Sequence, residues 1–335
     1  MRVGQRVGET NPGRKRRRNE DSYVCDPPLF AVADGMGGAQ AGEVASSLAA
    51  AALKERGEGD GRGEERVAEL IQEANRRVHQ RAVDDESASG MGTTMTVALF
   101  HPDGSISIGH VGDSRAYMHR DGRLEQLTED HSLVAELVRR GELSPEEAEV
   151  HPQRSVITRA LGTDPDVDVD TFTVQAVEGD LFLLCSDGLT TMVDADTMTA
   201  VFDRNRHDLH AAARALIREA NERGGDDNIT AVVFEVLEGD PDDETVEAVV
   251  TQPEEEDTLH PEPAAELGDG DTSIVSVEEI RSALAAQAAV DAVDAAENGG
   301  DDEPHASVAQ RLLAALLIVA LAALIVLLVV KGLAR

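Results

Sequence analysis

Apolar positions along the first 237 residues follow two rhythms, short extended runs and helical faces. Leu29–Phe30–Ala31–Val32–Ala33 runs into Asp34–Gly35–Met36–Gly37–Gly38, and residues 24–34 read as a strand pair. Residues 40–55 are Ala-rich at helical spacing. A second helix is predicted over 64–82, with Val67, Leu70, Ile71, Ala74 and Val78 on one face. Strands are predicted over 92–100 and 105–111. Residues 115–119 and 123–127 flank Asp121–Gly122, a short hairpin signal. A helix over 131–141 stops at Gly141. Residues 142–165 show no clean period and suggest a surface flap. A strand over 180–185, a helix over 207–223 and a strand over 228–237 follow. Hairpins separated by helices argue for antiparallel sheet covered by helices, not a βαβ fold.

The pattern changes after residue 237. Residues 238–310 carry 22 Asp and Glu against one base, Arg281, with three Leu, two Ile and no aromatic residue. Such a stretch buries too little apolar surface to offset chain entropy, so it is expected to be an acidic disordered linker. Leu312 to Val330 is then 19 consecutive Leu, Ala, Ile and Val residues. At 1.5 Å per residue it makes a helix of roughly 28 Å, close to the hydrocarbon thickness of a bilayer. A transmembrane helix is therefore expected over 311–331, bracketed by Arg311 and Lys331, with a short tail at 332–335. Lys331 and Arg335 against Arg311 weakly favour a cytoplasmic tail, but with no signal peptide at the start the folded domain, residues 1–237, is expected in the cytoplasm of a single-pass cell-membrane protein.

A net charge of −35 argues against nucleic acid as a partner. Cys25 and Cys185 form no CxxC pair, which excludes a disulfide framework and a thiolate metal site. The chemistry lies with the carboxylates. Asp34, Asp113 and Asp187 each follow a predicted strand beside a Gly or a turn, Asp227 starts one, and Glu20 and Asp21 follow a basic cluster at 14–18. Hard oxygen ligands converging at one sheet edge would suit magnesium or manganese. Two such ions lower the pKa of a water between them and clamp a phosphoryl oxygen, without a Ser, Cys or His nucleophile. An Asp before a Gly is also a common turn residue, and spacing alone leaves both readings open. Asp34–Gly35–Met36–Gly37–Gly38 lacks the Lys of a nucleotide-binding P-loop and the context of a Rossmann loop.

Seven short motifs stand in order: Arg16 with Asn19–Glu20–Asp21–Ser22; Ala33 to Gly38; Gly42–Glu43–Val44–Ala45; Gly92–Thr93–Thr94; Val111 to Ala116; Ser186 to Leu189; and Asp227–Asn228–Ile229–Thr230. This series resembles the metal-dependent protein phosphatases of the 2C type, in their bacterial branch. The resemblance implies an α+β fold, a four-layer α-β-β-α sandwich of two antiparallel sheets flanked by helices, ahead of the transmembrane helix. It implies a serine/threonine protein phosphatase using two or three manganese or magnesium ions, acting on phosphorylated proteins and opposing serine/threonine kinases. Asp34 resembles the carboxylate bridging both metals, joined by the carbonyl of Gly35. Asp187 and Asp227 resemble ligands of the first metal, and Glu20 and Asp21 the acidic pair of the second. Asp113 with Asp187 resembles a third site. Arg16 falls where the family grips the substrate phosphate, and its planar guanidinium suits that contact. Asn19 and Ser22 read as supports and Asp226 as a turn residue. Animal members carry His where this chain has Met36, and Met cannot donate a proton to the leaving group.

Overall fold

The structure, a computed structural model, describes residues 1–37, 41–56, 63–85 and 88–239. The acidic linker and the apolar run Leu312 to Val330 lie outside the described residues. Among those described, no helix is long and apolar enough to cross a membrane.

Two antiparallel sheets face each other. One orders its strands β1 (Arg2–Asn11), β11 (Ile229–Leu237), β10 (Leu181–Cys185), β7 (Arg115–Arg120) and β8 (Arg123–Gln126). The other runs β2 (Asp21–Asp26), β3 (Leu29–Met36), β5 (Met95–Phe100), β6 (Ser105–Val111) and β9 (Asp170–Gln175), with β4 (Gly92–Thr93) paired to β3. Alternation along each strand divides its side chains between two cores. In β3, Phe30 and Val32 join Phe182 and Leu184 of β10 and Val232, Phe234 and Val236 of β11 between the sheets. Phe30 stacks on Phe234 at 4.0 Å, tying one sheet to the other. Truncating either ring to Ala costs about 3–5 kcal/mol by the usual core arithmetic.

The opposite faces take the helices. Ala31 and Ala33 pack with α1 (Ala41–Arg56) and α2 (Gly63–Asp84). Leu181, Leu183, Ile229, Ala231 and Val233 pack under α6 (Ala195–Arg204) and α7 (Leu209–Glu222). Burial on both faces is why Leu29 to Ala33 and Leu181 to Cys185 are continuous apolar runs. The expected hairpin is present, with Asp121 at φ 51° and Gly122 at φ 71°, as a primed turn requires.

Three elements depart from the sequence reading. β1 went unpredicted because a bulge between Val3 and Arg6 breaks its period of two. β9 is a partly exposed edge strand, and α6 is rich in Thr and Asp. The flap expected over 142–165 also needs correction. Its first half holds a short exposed helix, α4 (Pro145–Glu149), but Ile157, Ala160 and Leu161 are buried. Leu161 bridges to Thr93 and Ile157 to Ser132, the N-cap of α3 (Leu133–Arg139), so the second half is built into the domain.

Candidate metal centre

The strand ends bring the carboxylates together at one edge. Asp21 opens β2 directly opposite Asp34 in β3. Asp113 lies just past β6, Asp187 just past β10, and Asp227 just before β11. Asp187 also begins the short helix α5 (Asp187–Thr190). Close backbone approach is part of the design. A Cβ on Gly35 would stand 2.1 Å from the carbonyl of Gly42, and one on Gly188 2.1 Å from that of Asn228. Neither position has room for a side chain.

Neighbouring polar groups set each acid. Asp34's carbonyl accepts from the Thr94 N–H at 2.9 Å and the Thr93 hydroxyl at 2.8 Å, and its own N–H donates to Thr94 Oγ1. Asn228 donates to the carbonyls of Pro12 and Arg18 and accepts from the Glu20 N–H, which pins the segment carrying Arg16 and Glu20. Asn19 accepts from the Asp21 N–H. Asp21 Oδ2 accepts from Thr230 at 2.6 Å and Ser186 at 2.8 Å. Arg16 pairs with Asp227 at 2.9 Å, both about 29 % exposed, so this pair forms the accessible lip of the cluster. Asp226 pairs with Lys15 on the surface.

The electrostatics are frustrated. Burial, then repulsion from Asp21, Asp187, Asp227 and Asp113, pushes the Asp34 carboxyl well above the ordinary carboxylate range. Burial, then Asp187, does the same to Asp113. Asp187 is pushed up to about 6 by burial and Asp227, and Asp21 to about 7, chiefly by burial. One oxygen each of Asp21, Asp113 and Asp187 is buried with no hydrogen-bond partner.

These orphaned acceptors fit hard divalent cations, which would supply the missing positive charge and accept oxygen donors. Among the described residues no three His, Cys, Asp or Glu side chains close around a single point. The fit therefore rests on the unmet oxygens and the excess negative charge.

A profile of the family described as Protein phosphatase 2C matches residues 16–224. The chain belongs to that family. The serine/threonine phosphatase stp of Listeria monocytogenes is 40 % identical over 237 residues, 68 % of this chain and 93 % of that protein. The serine/threonine protein phosphatase PstP of Mycobacterium tuberculosis is 41 % identical over 237 residues, 70 % of this chain and 45 % of that one. The crystal structure of PstP from Mycobacterium tuberculosis superposes with a TM-score of 0.67 at 37 % identity, covering 70 % of this chain and all of that one. A PstP catalytic domain crystallised with two manganese ions gives 0.65 at 36 % identity, over 70 % of this chain and 99 % of that one.

Within this family member, all the acids singled out from sequence, with Arg16 and Gly35, gather at one edge. The sequence reading named Asn19, which accepts from the Asp21 N–H, as a support, and missed the others. Thr93, Thr94, Ser186 and Thr230 lay inside quoted motifs, but only strand pairing shows that they hold Asp34 and Asp21. Met36 has a packing role: it is buried with Ile157 and Ala160, fastening the end of β3 to the inner half of the flap. Arg115 grips Asp130 with both arms, at 2.8 and 2.7 Å, next to Asp113.

Proposed function

We propose that the chain hydrolyses phosphate esters on serine and threonine residues of phosphorylated proteins, with divalent manganese or magnesium as cofactor. The observation that carries this reading is the buried aspartate cluster with unmet oxygens and Arg16 at its accessible lip. Asp34, repelled by four other aspartates, is the central ligand, joined by the Gly35 carbonyl. Asp187 and Asp227 hold a first ion, Glu20 and Asp21 serve a second, and Asp113 with Asp187 serves a third. Bound cations supply the Lewis acidity that activates water and stabilises charge on a phosphoryl oxygen. Arg16 receives the substrate phosphate and orients it; its present bond to Asp227 holds the guanidinium at the cluster until substrate arrives. Met36, packed in an apolar cluster, gives no proton to the leaving group.

The finer reading adds a tether and a context. The 19-residue apolar run at 312–330 supports a membrane anchor, the acidic stretch at 238–310 a spacer, and the catalytic domain a cytoplasmic position. In that setting the enzyme opposes serine/threonine kinases. Kinetics on a phosphothreonine peptide and a small aryl phosphate test the substrate class. The peptide is expected to have the higher kcat/KM; preference for the aryl ester would make this a small-ester hydrolase. Deleting 311–335 is expected to move the protein to the soluble fraction with activity intact, and retention in membranes would remove the anchor.

A further inference from the structure

A second charged site lies in the helix layer, along α6 and α7. The C-terminal half of α6 and the outer face of α7 flank an open groove of about 340 Å³ floored by Val201 and Ala215. Its rim carries Arg204, Arg214 and Arg218, against one carboxylate, Glu219. Arg214 and Arg218 are four apart and fall on one helix face. Among the described residues none of these three arginines forms an ion pair; Arg204 Nε donates to the Ala200 carbonyl. That is unexpected in a chain with 65 acids and 30 Lys and Arg.

The chain leaves the folded domain after β11. β11 spans nine residues, which puts its exit roughly 30 Å from the Asp227 end. Its last residue, Leu237, pairs with Arg2, and a Cβ on Gly239 would stand 2.9 Å from Arg2 Nε. Arg2 Nε and Nη1 and Arg206 Nη1 are buried there without an acceptor. Arg206 follows Asn205, which caps α6 and lines the groove. Its other nitrogen donates to the Gly179 carbonyl, and the Gly179 N–H donates to Val236 at 2.8 Å. The exit therefore lies beside the Asn205 end of the groove.

We infer that residues 240–247, directly after the exit, dock in cis on this arginine-lined groove through their carboxylates. They contain Asp240, Asp242, Asp243, Glu244 and Glu247, five acids in eight residues. Extended, eight residues reach about 26 Å, while Ala211 to Arg218 rises only about 10 Å along α7. The segment thus spans the groove without strain. Arginine forks suit paired carboxylate contacts, and a Val and Ala floor lowers the screening of those pairs.

Cleavage of the full-length chain by a glutamate-specific protease reads this out at Glu244 and Glu247. The wild type at low salt is expected to be cut at least about fivefold more slowly than R204E/R214E/R218E. D240N/D242N/D243N alters nothing in the folded domain and keeps both cleavage sites, and is expected to be cut as fast as the arginine variant. Equal rates for the wild type and D240N/D242N/D243N overturn the inference, whatever the arginine variant does. Protection of the wild type that fades on tenfold dilution gives the groove to a second copy and overturns docking in cis.

Discussion

Two polar clusters lie on either side of the turn at Gly112–Asp113, and they are built on opposite plans. In the aspartate cluster, five carboxyl groups share a small space with Arg16 and Arg115, and three oxygens go without a partner. Beside it, His110, His131, Asp170 and Arg159 meet one another's needs. His110 contacts Thr96 Oγ1 and the Glu129 carbonyl, both at 3.0 Å. His131 Nδ1 accepts from the Gly112 N–H, so its proton sits on Nε2 and points at Asp170, 3.1 Å away. Arg159 donates to the same carboxylate at 2.6 Å. A buried network that satisfies itself stabilises the fold. One that leaves acceptors empty and like charges together is stabilised only by charge from outside.

The comparison breaks most visibly through the central aspartates. Asp187→Asn is expected to lower manganese-dependent phosphate release about 1,000-fold, because the lost ligand serves charge stabilisation of the reaction. The same change relieves repulsion, so in chelator its melting temperature should not fall below that of the wild type. Near-normal turnover would move Asp187 out of the centre. The histidine network should respond in the opposite way. His131→Ala leaves the Gly112 N–H without its acceptor and opens a gap, and is expected to cost about 3 kcal/mol in urea unfolding. A loss within error would mean that the network carries little of the fold.

A smaller effect follows from His110, held down to about 3 by burial and then by His131. Between that value and its ordinary 6.5 the folded protein binds fewer protons than the unfolded chain. Its contribution to stability is full above about pH 6.5 and is lost as pH falls toward 3. Between pH 7 and pH 5 the His110 part of this loss is expected to be about 2 kcal/mol, read in denaturant titrations as the difference between the wild type and His110→Gln, because the raised Asp21 and Asp187 carboxyls act in the opposite direction in both proteins. The same pH dependence in the two proteins would assign the proton uptake elsewhere.

Much of this was legible in the sequence, for local reasons. Leu29 to Ala33 and Leu181 to Cys185 read as strands because both faces are buried, and Asp121–Gly122 read as a hairpin because its backbone demands it. The aspartates were visible as strand-end residues. Their convergence was not, since it depends on Asp21 pairing across from Asp34 and on β10 lying between β7 and β11. β1 stayed hidden behind its bulge. Ile157 and Leu161 of the flap gave no periodic signal, because their burial is set by Ser132 and Thr93, far away in the chain.

Manganese binding by the full-length chain, followed by calorimetric titration of the wild type beside Asp34→Asn and Asp187→Asn, tests the metal centre most directly. At least two ions per wild-type chain are expected, with binding weakened at least about tenfold in both variants and their folds intact. Wild-type stoichiometry and affinity in either variant would contradict a metal centre built on these aspartates.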